Sequence, residues 1–356
     1  MSSVEKITCR IKSGYARQLS YAGRVQIINA VLFSIYNFWG AVFILPQSVL
    51  DDIDKQCRMF LWGSSEGHRK ISLVAWDNVC KPKKYGGLNV KRRKLWNLAS
   101  VGKLLWQIVN KKDVLWAKWV NEIYMKADED IWSHEPSQDS SWYWRRLNAL
   151  KDMMSTWYDR GVYRLTSNGQ YSVSSSYNAL LGNMNVMREA DLIWNCIMLP
   201  RQRMISWLAY QNKLLTKERL QRMHIQVENT VCCLCDDGVD ETDQHLFAEC
   251  KWINEARTVL ATWMGIDIPQ KVFKQSLQWI KGRHWRQFKK EVMAAICGAL
   301  VYCTWQARNW KVYRQTIVNN GGIVTQIQRE LKERVSMFSC ARKASKCPCL
   351  IDRICN

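Results

Sequence analysis

The chain has 356 residues, of which 47% are hydrophobic and 19 are tryptophan, and this composition excludes a disordered polypeptide. Its 52 basic and 31 acidic residues give a net charge of +21, which favours polyanionic partners. The first residues are polar and charged and no apolar run reaches the ~20 residues of a membrane span, so we expect 14 reduced cysteines in an intracellular protein, nuclear or cytoplasmic, without membrane contact.

The positive charge is concentrated at the two ends of the sequence. Residues 1–125 carry 20 basic and 8 acidic side chains, and residues 257–356 carry 18 and 5. The intervening residues 126–256 carry 14 basic and 18 acidic side chains. We therefore expect the two ends to supply most of the attraction to a nucleic acid.

The first predicted elements are amphipathic helices. Ser20 can cap a helix that runs through Ala30 or beyond, and a second helix is predicted from near Ser48, after Pro46. The adjacent Asp51 and Asp52 resemble a pair that could bind catalytic Mg²⁺, but they lie in the first turn of this helix. Acidic residues are favoured there by the helix dipole, so no catalytic pair is predicted.

The densest basic stretch is KPKKYGGLNVKRRK, and its Pro and Gly residues predict a loop. Its basic side chains could contact phosphates, and Tyr85 could stack on a base. A solvated loop or a nuclear-import signal is the alternative interpretation. The candidate contacts are Lys81, Lys83, Lys84, Tyr85, Lys91, Arg92, Arg93 and Lys94.

A polar region then precedes a predicted β-hairpin. Tyr163–Thr166 and Tyr171–Val173 flank Ser-Asn-Gly, a strong turn signal, and Ser174 or Ser175 could cap the helix that follows. Further helices are predicted from Asp191 to a break at Pro200 and from Met204 to Leu220.

The segment CCLCDDGVDETDQHLFAEC contains two short chelating pairs, Cys232 with Cys235 and His245 with Cys250. This spacing predicts a closed, structural Cys3His site for one Zn²⁺. Buried thiols beside a histidine and a redox Cys-x-x-Cys pair are the alternatives. Cys233 could replace Cys232, although it would leave only one residue before Cys235.

Two helices are predicted after the zinc segment, from Trp252 to Trp263 and from about Arg286 to Ile317. The second could contact phosphates with its basic side, while the tail could hold a second metal although its spacing is irregular. The basic candidates are Lys289, Lys290, Arg308, Lys311 and Arg314, and the tail cysteines are Cys340, Cys347, Cys349 and Cys355.

Several of these motifs resemble a known family, the carboxy-terminal region of plant LINE-type (non-LTR) retrotransposon reverse transcriptases, with thumb, connection and zinc-binding parts. The resemblance runs from about residue 7 to about residue 335. The zinc pattern and LSYAGR are its specific parts. The motifs are the residues Cys232, Cys235, Glu241, Thr242, His245, Phe247 and Cys250 and the segments LSYAGR (19–24), FLW (60–62), KYGGL (84–88), GQYSV (169–173) and WQARN (305–309).

The resemblance implies binding without catalysis. The polymerase chemistry of the family depends on palm-domain aspartates that lie upstream of the matched part, and no aromatic-x-Asp-Asp hairpin or RNase H acid quartet is found. We therefore expect a retroelement remnant that is not an enzyme. It would hold RNA or DNA mainly through phosphate contacts, with little base readout.

The predicted fold is mainly α, with helical bundles, one small β-hairpin and a zinc-stapled Cys3His knuckle. A zinc-scaffolded protein-interaction module and an accessory part of a polymerase with its palm on another chain are alternative functions. The predicted regions are a basic thumb/connection-like region (1–125), a polar linker (126–160), the hairpin and zinc-binding domain (161–256), a basic helical region (257–338) and a Cys/Lys/Arg-rich tail (339–356).

Overall fold

A computed structural model describes residues 19–63, 70–125, 130–159, 162–338 and 344–355. The chain divides into two compact units. The first comprises Met1–Leu19 and Gly23–Val186, and the second comprises Ser20–Ala22 and Met187–Asn356. The part of the predicted first region before residue 19 lies outside the described residues.

Helices make up most of the first unit, and their ends carry ordinary helix signals. Gly63 ends the helix after Pro46 in a left-handed conformation, and the Ser141 hydroxyl accepts a hydrogen bond from Trp144 N–H. A π-helical segment, Ile28–Leu32, joins α1 to α2. The helices are α1 (Tyr21–Ile27, whose first two residues group with the second unit), α2 (Phe33–Gly40), α3 (Gln47–Trp62), α4 (Trp76–Val79), α5 (Arg93–Val109), α6 (Leu115–Ile123), α7 (Trp142–Asn148), α8 (Lys151–Met154) and α9 (Val173–Leu181).

The hairpin lies earlier in the chain than predicted. Strand β1 (Tyr158–Asp159) pairs antiparallel with β2 (Val162–Tyr163), and the predicted strands 163–166 and 171–173 do not pair. Ser-Asn-Gly does form a turn, in which Gly169 has φ +66° and Thr166 Oγ1 donates to Gln170 O. Ser172 rather than Ser174 or Ser175 caps α9, so the chain enters a helix where a second strand was expected.

The core of the first unit is rich in aromatic side chains. Trp106 of α5 packs in one buried cluster with Trp144 and Leu147 of α7, Met154 of α8 and Tyr163 of β2. The helices α7 and α8 fall within the region predicted to be a polar linker. Both helices are short, seven and four residues, so too few buried positions recur for a helical period to be recognised in the sequence.

Among the described residues of the second unit, all regular secondary structure is helical apart from one isolated β-bridge. Pro200 is the first residue of its helix, where an N–H group would have no intrahelical acceptor, so the lack of one costs no hydrogen bond. The predicted helix from Met204 to Leu220 is two helices with a turn between them. The helices are α10 (Ala190–Ile193), α11 (Pro200–Tyr210), α12 (Lys217–Arg222), α13 (Lys251–Met264), α14 (Phe273–Gly282), α15 (Gln287–Arg314), α16 (Asn320–Phe338) and α17 (Pro348–Cys355).

The long helix α15 forms the centre of this unit, and α11, α14 and α16 pack around it. Its apolar stripe, from Phe288 to Ala307, is buried. The mainly α fold with one small hairpin is confirmed. Across the described residues, no helix is long and apolar enough to cross a membrane. Cys340 lies outside the described residues, while Cys347, Cys349 and Cys355 lie at or on α17.

A candidate zinc centre and its basic surroundings

The first chelating pair lies in a tight loop between Val231 and Asp240, which form an antiparallel bridge. Cys232 N–H donates to Val239 O over 2.8 Å, and this bond closes the loop. Gly238 takes φ +68°, a conformation that a side chain would strain, and so allows the chain to reverse. Cys232 and Cys235 are thereby presented from one knuckle.

The second pair is presented by a π-helical turn, His245–Glu249, which leads into α13. His245 N–H donates to Thr242 Oγ1, and Cys250 N–H donates to His245 O over 2.7 Å. The buried Arg257 side chain donates to the carbonyl oxygens of Phe247 and Ala248 at the end of the turn. These bonds hold His245 and Cys250 at a fixed separation.

The two pairs converge on one point. The three Sγ atoms and a ring nitrogen of His245 all lie within 4.8 Å of one another, and Cys235 Sγ is 3.3 Å from His245 Nε2. Tetrahedral Zn²⁺ with its usual bond lengths separates two sulfurs by about 3.8 Å and a sulfur and a nitrogen by about 3.5 Å. Three sulfurs and an imidazole at this spacing can hold one zinc ion. Within the part of the chain that the structure describes, no other group of three or more such ligands is found.

Hydrogen bonds to the Cys232 sulfur favour the thiolate form of that ligand. The Cys250 thiol and the backbone N–H groups of Leu234 and Cys235 donate to the Cys232 sulfur and lower the pKa of Cys232 to about 5. The same shared proton raises the pKa of Cys250, and burial raises that of Cys235. A bound zinc ion deprotonates coordinating thiols, so it would replace this shared proton.

Cys233 does not belong to the cluster. Its sulfur faces the Arg308 carbonyl oxygen of α15 at 4.0 Å, whereas Cys232 is buried toward the other ligands. Burial raises the pKa of the Cys233 thiol, which opposes a thiolate at that position. Between the two adjacent cysteines, the geometry favours Cys232 as the ligand.

The residue after the knuckle ties it to the long helix. Glu241 is 0% exposed, and its carboxylate accepts bonds of 2.8–3.1 Å from Arg308 Nε and Nη2 on α15. The same carboxylate accepts from Lys217 N–H at the start of α12, 3.0 Å away. One buried carboxylate therefore joins the zinc knuckle, α12 and α15.

In the first unit, the predicted basic loop is an ordered turn rather than an extended solvated loop. Leu88 N–H donates to Val79 O and Asn89 N–H donates to Lys81 O, which fold the turn back onto α4. A Cβ on Gly87 would lie 2.0 Å from the Lys81 carbonyl oxygen, so only glycine fits there. Lys83 and Lys84 project from this turn into solvent.

The structure divides the other predicted contacts of this unit. Arg93 is 1% exposed and pairs with Asp54, so its assignment as a nucleic-acid contact is wrong: its charge is already neutralised inside the fold. Lys91 is half-buried, 4.9 Å from the Trp96 ring centroid, and burial lowers its pKa. Arg92 pairs with Asp77. Lys94 is exposed, while Lys81 and Tyr85 are half-buried.

The predicted contacts of the second unit also separate. Arg308 is 1% exposed and bound to Glu241, so this assignment is wrong for the same reason. Lys290 Nζ donates to Lys281 O at the end of α14, and Lys289 Nζ lies 4.7 Å from the Trp285 ring centroid. Arg314 is exposed at the end of α15, and Lys311 is half-buried one turn earlier.

The fold and the site together define a zinc-binding domain in which a Cys3His knuckle is fixed to a helical bundle. Residues 171–256 match the family model described as zinc-binding in reverse transcriptase. This segment includes all four clustered residues. Residues 171–256 are therefore similar to the zinc-binding part of reverse transcriptases, as the motifs predicted.

Two relatives from Arabidopsis thaliana extend the similarity. One is described as a "putative ribonuclease H protein". It is 24% identical over an alignment 368 positions long, which covers 78% of this chain. This chain spans 58% of that relative's length. The other, an uncharacterised mitochondrial protein, is 28% identical over 111 residues, which cover 31% of this chain and 69% of the relative. The predicted resemblance to a plant reverse-transcriptase-related region is confirmed.

The buried pair of Glu241 and Arg308 was missed by sequence reasoning. Glu241 was predicted only as a motif residue in an acidic loop, and Arg308 was assigned to the basic side of its helix. A signal was present, because Arg308 lies one position after Ala307 at the edge of the apolar stripe. Its partner, 67 residues earlier, could not be read from the periodicity.

Proposed function

We propose that this chain is a zinc-scaffolded nucleic-acid-binding region of a plant LINE-type retrotransposon protein, holding RNA or DNA mainly through phosphate contacts. The observation that carries the proposal is the Cys3His cluster, with ligand atoms within 4.8 Å of one another, in a chain of net charge +21. Zinc supplies rigidity in such a site, and the basic side chains supply the attraction.

Cys232, Cys235, His245 and Cys250 would hold one zinc ion. Three thiolates and one imidazole fill the four positions of a tetrahedral site and leave none for a substrate. Asp237, beside the cluster, pairs with Lys251 at the start of α13. The zinc is therefore structural, fixing the knuckle to α13 and, through Glu241, to α15.

Phosphate contact falls to the basic side chains that the fold leaves exposed. Among the predicted contacts these are Lys83, Lys84 and Lys94 in the first unit and Arg314, with Lys311 beside it, in the second. Each side chain that neutralises a phosphate releases a condensed counterion, so binding should weaken steeply with salt. Contacts of this kind position a nucleic acid without reading its sequence.

We further propose that the chain has no polymerase or nuclease activity of its own. Asp51 and Asp52 are exposed on α3, and Asp51 accepts a hydrogen bond from Gln47 Nε2 over 2.7 Å. No third carboxylate gathers with them within the described residues. Primer extension and RNA–DNA hybrid cleavage by the purified chain are expected to match buffer alone. Activity that a substitution of Asp51 and Asp52 abolishes would refute the proposal.

A protein-binding role is the second candidate function, favoured by one observation in the first unit. Phe38, Trp39 and Phe43 are exposed together around the end of α2, and Phe43 packs edge-on against Tyr143. Exposed apolar patches of this kind occur at protein interfaces. Substituting these three residues should leave nucleic-acid affinity unchanged if the two roles are separate.

The test of the main proposal is a salt titration with the full chain. Fluorescence anisotropy of a labelled 20-nucleotide RNA and a 20-base-pair DNA should show affinity that falls by roughly 10²-fold or more between 50 and 200 mM salt, as for about five phosphate contacts. Affinity independent of salt, or no binding at 50 mM salt, would contradict the proposal.

A further inference from the structure

The outer face of α15 carries an aromatic stripe that the proposed phosphate contacts do not use. Tyr302, Trp305, Asn309, Trp310 and Tyr313 follow one another at intervals of one, three or four residues, the spacing of a single helix face. The opposite face of the same helix is buried in the core. These five side chains line a groove of about 440 Å³, which is within the range of roughly 300–1,000 Å³ found for ligand sites.

The rings are available to a ligand. Tyr313 is 73% exposed. Trp305 and Trp310 are half-buried, so part of each ring remains accessible to a ligand. Arg314 also lines the groove and is exposed. The groove therefore combines flat aromatic surfaces with an amide and a positive charge.

The groove is held in shape by Arg308. The Arg308 Cζ atom lies 5.1 Å from the Trp305 ring centroid, and its guanidinium donates to Asn309 Oδ1 over 3.0 Å. Glu241 fixes the same guanidinium from the zinc knuckle. Trp305 and Asn309 are therefore positioned by the same arginine that secures the knuckle.

We propose that this groove binds the bases of an unpaired RNA or DNA strand by stacking on Trp305, Trp310 and Tyr313. Every base has a flat face that stacks on an aromatic ring, so such a surface accepts any sequence. In a duplex those faces are occupied by neighbouring bases and are closed to the protein. Arg314 and Lys311 supply the positive charge that the adjoining phosphates need. The inference rests on the proposed nucleic-acid-binding function and adds a preference for single strands.

The test compares a labelled 20-nucleotide oligo(dT) and oligo(U) with a 20-base-pair duplex, using anisotropy and the full chain with zinc. Tyr313→Ala removes an exposed ring at little risk to folding, and Trp310→Ala removes a second. Each should weaken single-strand binding by about fivefold or more and leave duplex binding within about twofold. Tyr313→Phe keeps the ring and should bind as the wild type does. Val312→Ala, exposed on the same helix but outside the groove, is the matched control.

The outcomes separate this inference from the proposed function. Equal weakening of single-strand and duplex binding by Tyr313→Ala, or no weakening of either, overturns the groove proposal while salt-dependent binding stands. If Tyr313→Ala weakens neither single-strand nor duplex binding, a protein segment becomes the alternative ligand of the groove. If the wild-type chain binds none of the three probes, the proposed function itself fails and the groove proposal fails with it.

Discussion

Arg308 of α15 and Glu241, the residue directly after the zinc knuckle, form a bidentate ion pair that is almost wholly shielded from water. Arg308 Nη2 lies 2.8 Å from Glu241 Oε1. Two oppositely charged groups in this setting compensate each other's lost hydration only while both are present. The pair lies where the knuckle meets the long helix, so it couples the zinc-bound knuckle to the helical bundle.

Glu241→Gln should destabilise the second unit by about 3–5 kcal/mol, because it leaves the Arg308 guanidinium buried without a counter-charge. Urea denaturation, followed by far-ultraviolet circular dichroism and by tryptophan fluorescence, would measure the change in the free energy of unfolding. Fits must allow two transitions, since the chain has two units.

The matched control is Glu218→Gln. Glu218 pairs with Arg222 at i,i+4 on the exposed surface of α12, and such pairs contribute only about 0.3–0.5 kcal/mol. An equal loss of stability in the two variants would show that the buried pair has no special role in the fold.

Zinc content should distinguish the two adjacent cysteines. Cys232→Ser and His245→Ala each remove a ligand and should lower bound zinc well below one ion per chain. The Cys233 sulfur points toward α15, so Cys233→Ser should retain one ion. Metal analysis of dialysed protein, with a chromogenic chelator as a second readout, gives the ratio directly.

Stability should follow the zinc content. Structural zinc contributes on the order of 10 kcal/mol to folding in isolated zinc-finger peptides, so chelation should lower the melting temperature of the second unit strongly. The first unit, with its own aromatic core, should melt as before. Wild-type protein that holds less than one zinc ion yet unfolds cooperatively at an unchanged temperature would contradict the structural role.

The zinc site could be predicted because its information is local. Two short chelating pairs and an intervening turn are written within 19 consecutive residues, from Cys232 to Cys250. The contacts that fix the site to the bundle are long-range, as with Glu241 and Arg308. Charge alone did not distinguish Arg93 and Arg308 from exposed side chains, since burial depends on a carboxylate far away in the sequence.

The helices could be predicted from periodicity, whereas the hairpin position could not. Tyr163 was expected to begin a first strand and instead ends the second strand of a pair that begins at Tyr158. The Ser-Asn-Gly signal was real but local, and the Ser172 cap makes the following residues helical. The aromatic stripe of α15 was also overlooked, because its period was visible only once the buried face was known.

Removing the exposed lysines of the basic turn and of the first turn of α5 should flatten the salt dependence of binding. Lys83, Lys84 and Lys94 are exposed, whereas Arg93 is not, so the triple alanine variant should reduce the slope of log affinity against log salt by roughly 2–3. Anisotropy titrations at four salt concentrations would determine the slope. Alanine substitution of Lys103 and Lys118, exposed lysines outside the turn, is the control, and an equal reduction per lysine there would show that net charge alone matters.

Gly87→Ala should disrupt the presentation of those lysines without changing any charge. The added methyl group would meet the Lys81 carbonyl oxygen at 2.0 Å and the Asn78 carbonyl oxygen at 2.7 Å, and both are backbone atoms that cannot turn aside. We expect a loss of about 2–3 kcal/mol in the stability of the first unit, because the backbone must shift to accommodate the added methyl group. Asn89→Gly in the same turn should change stability by less than about 1 kcal/mol, because Asn89 already has φ +60° and glycine adopts that conformation freely. Thermal and urea unfolding of the two variants would decide between them, and a Gly87→Ala protein as stable as Asn89→Gly would show that the turn is not built as described.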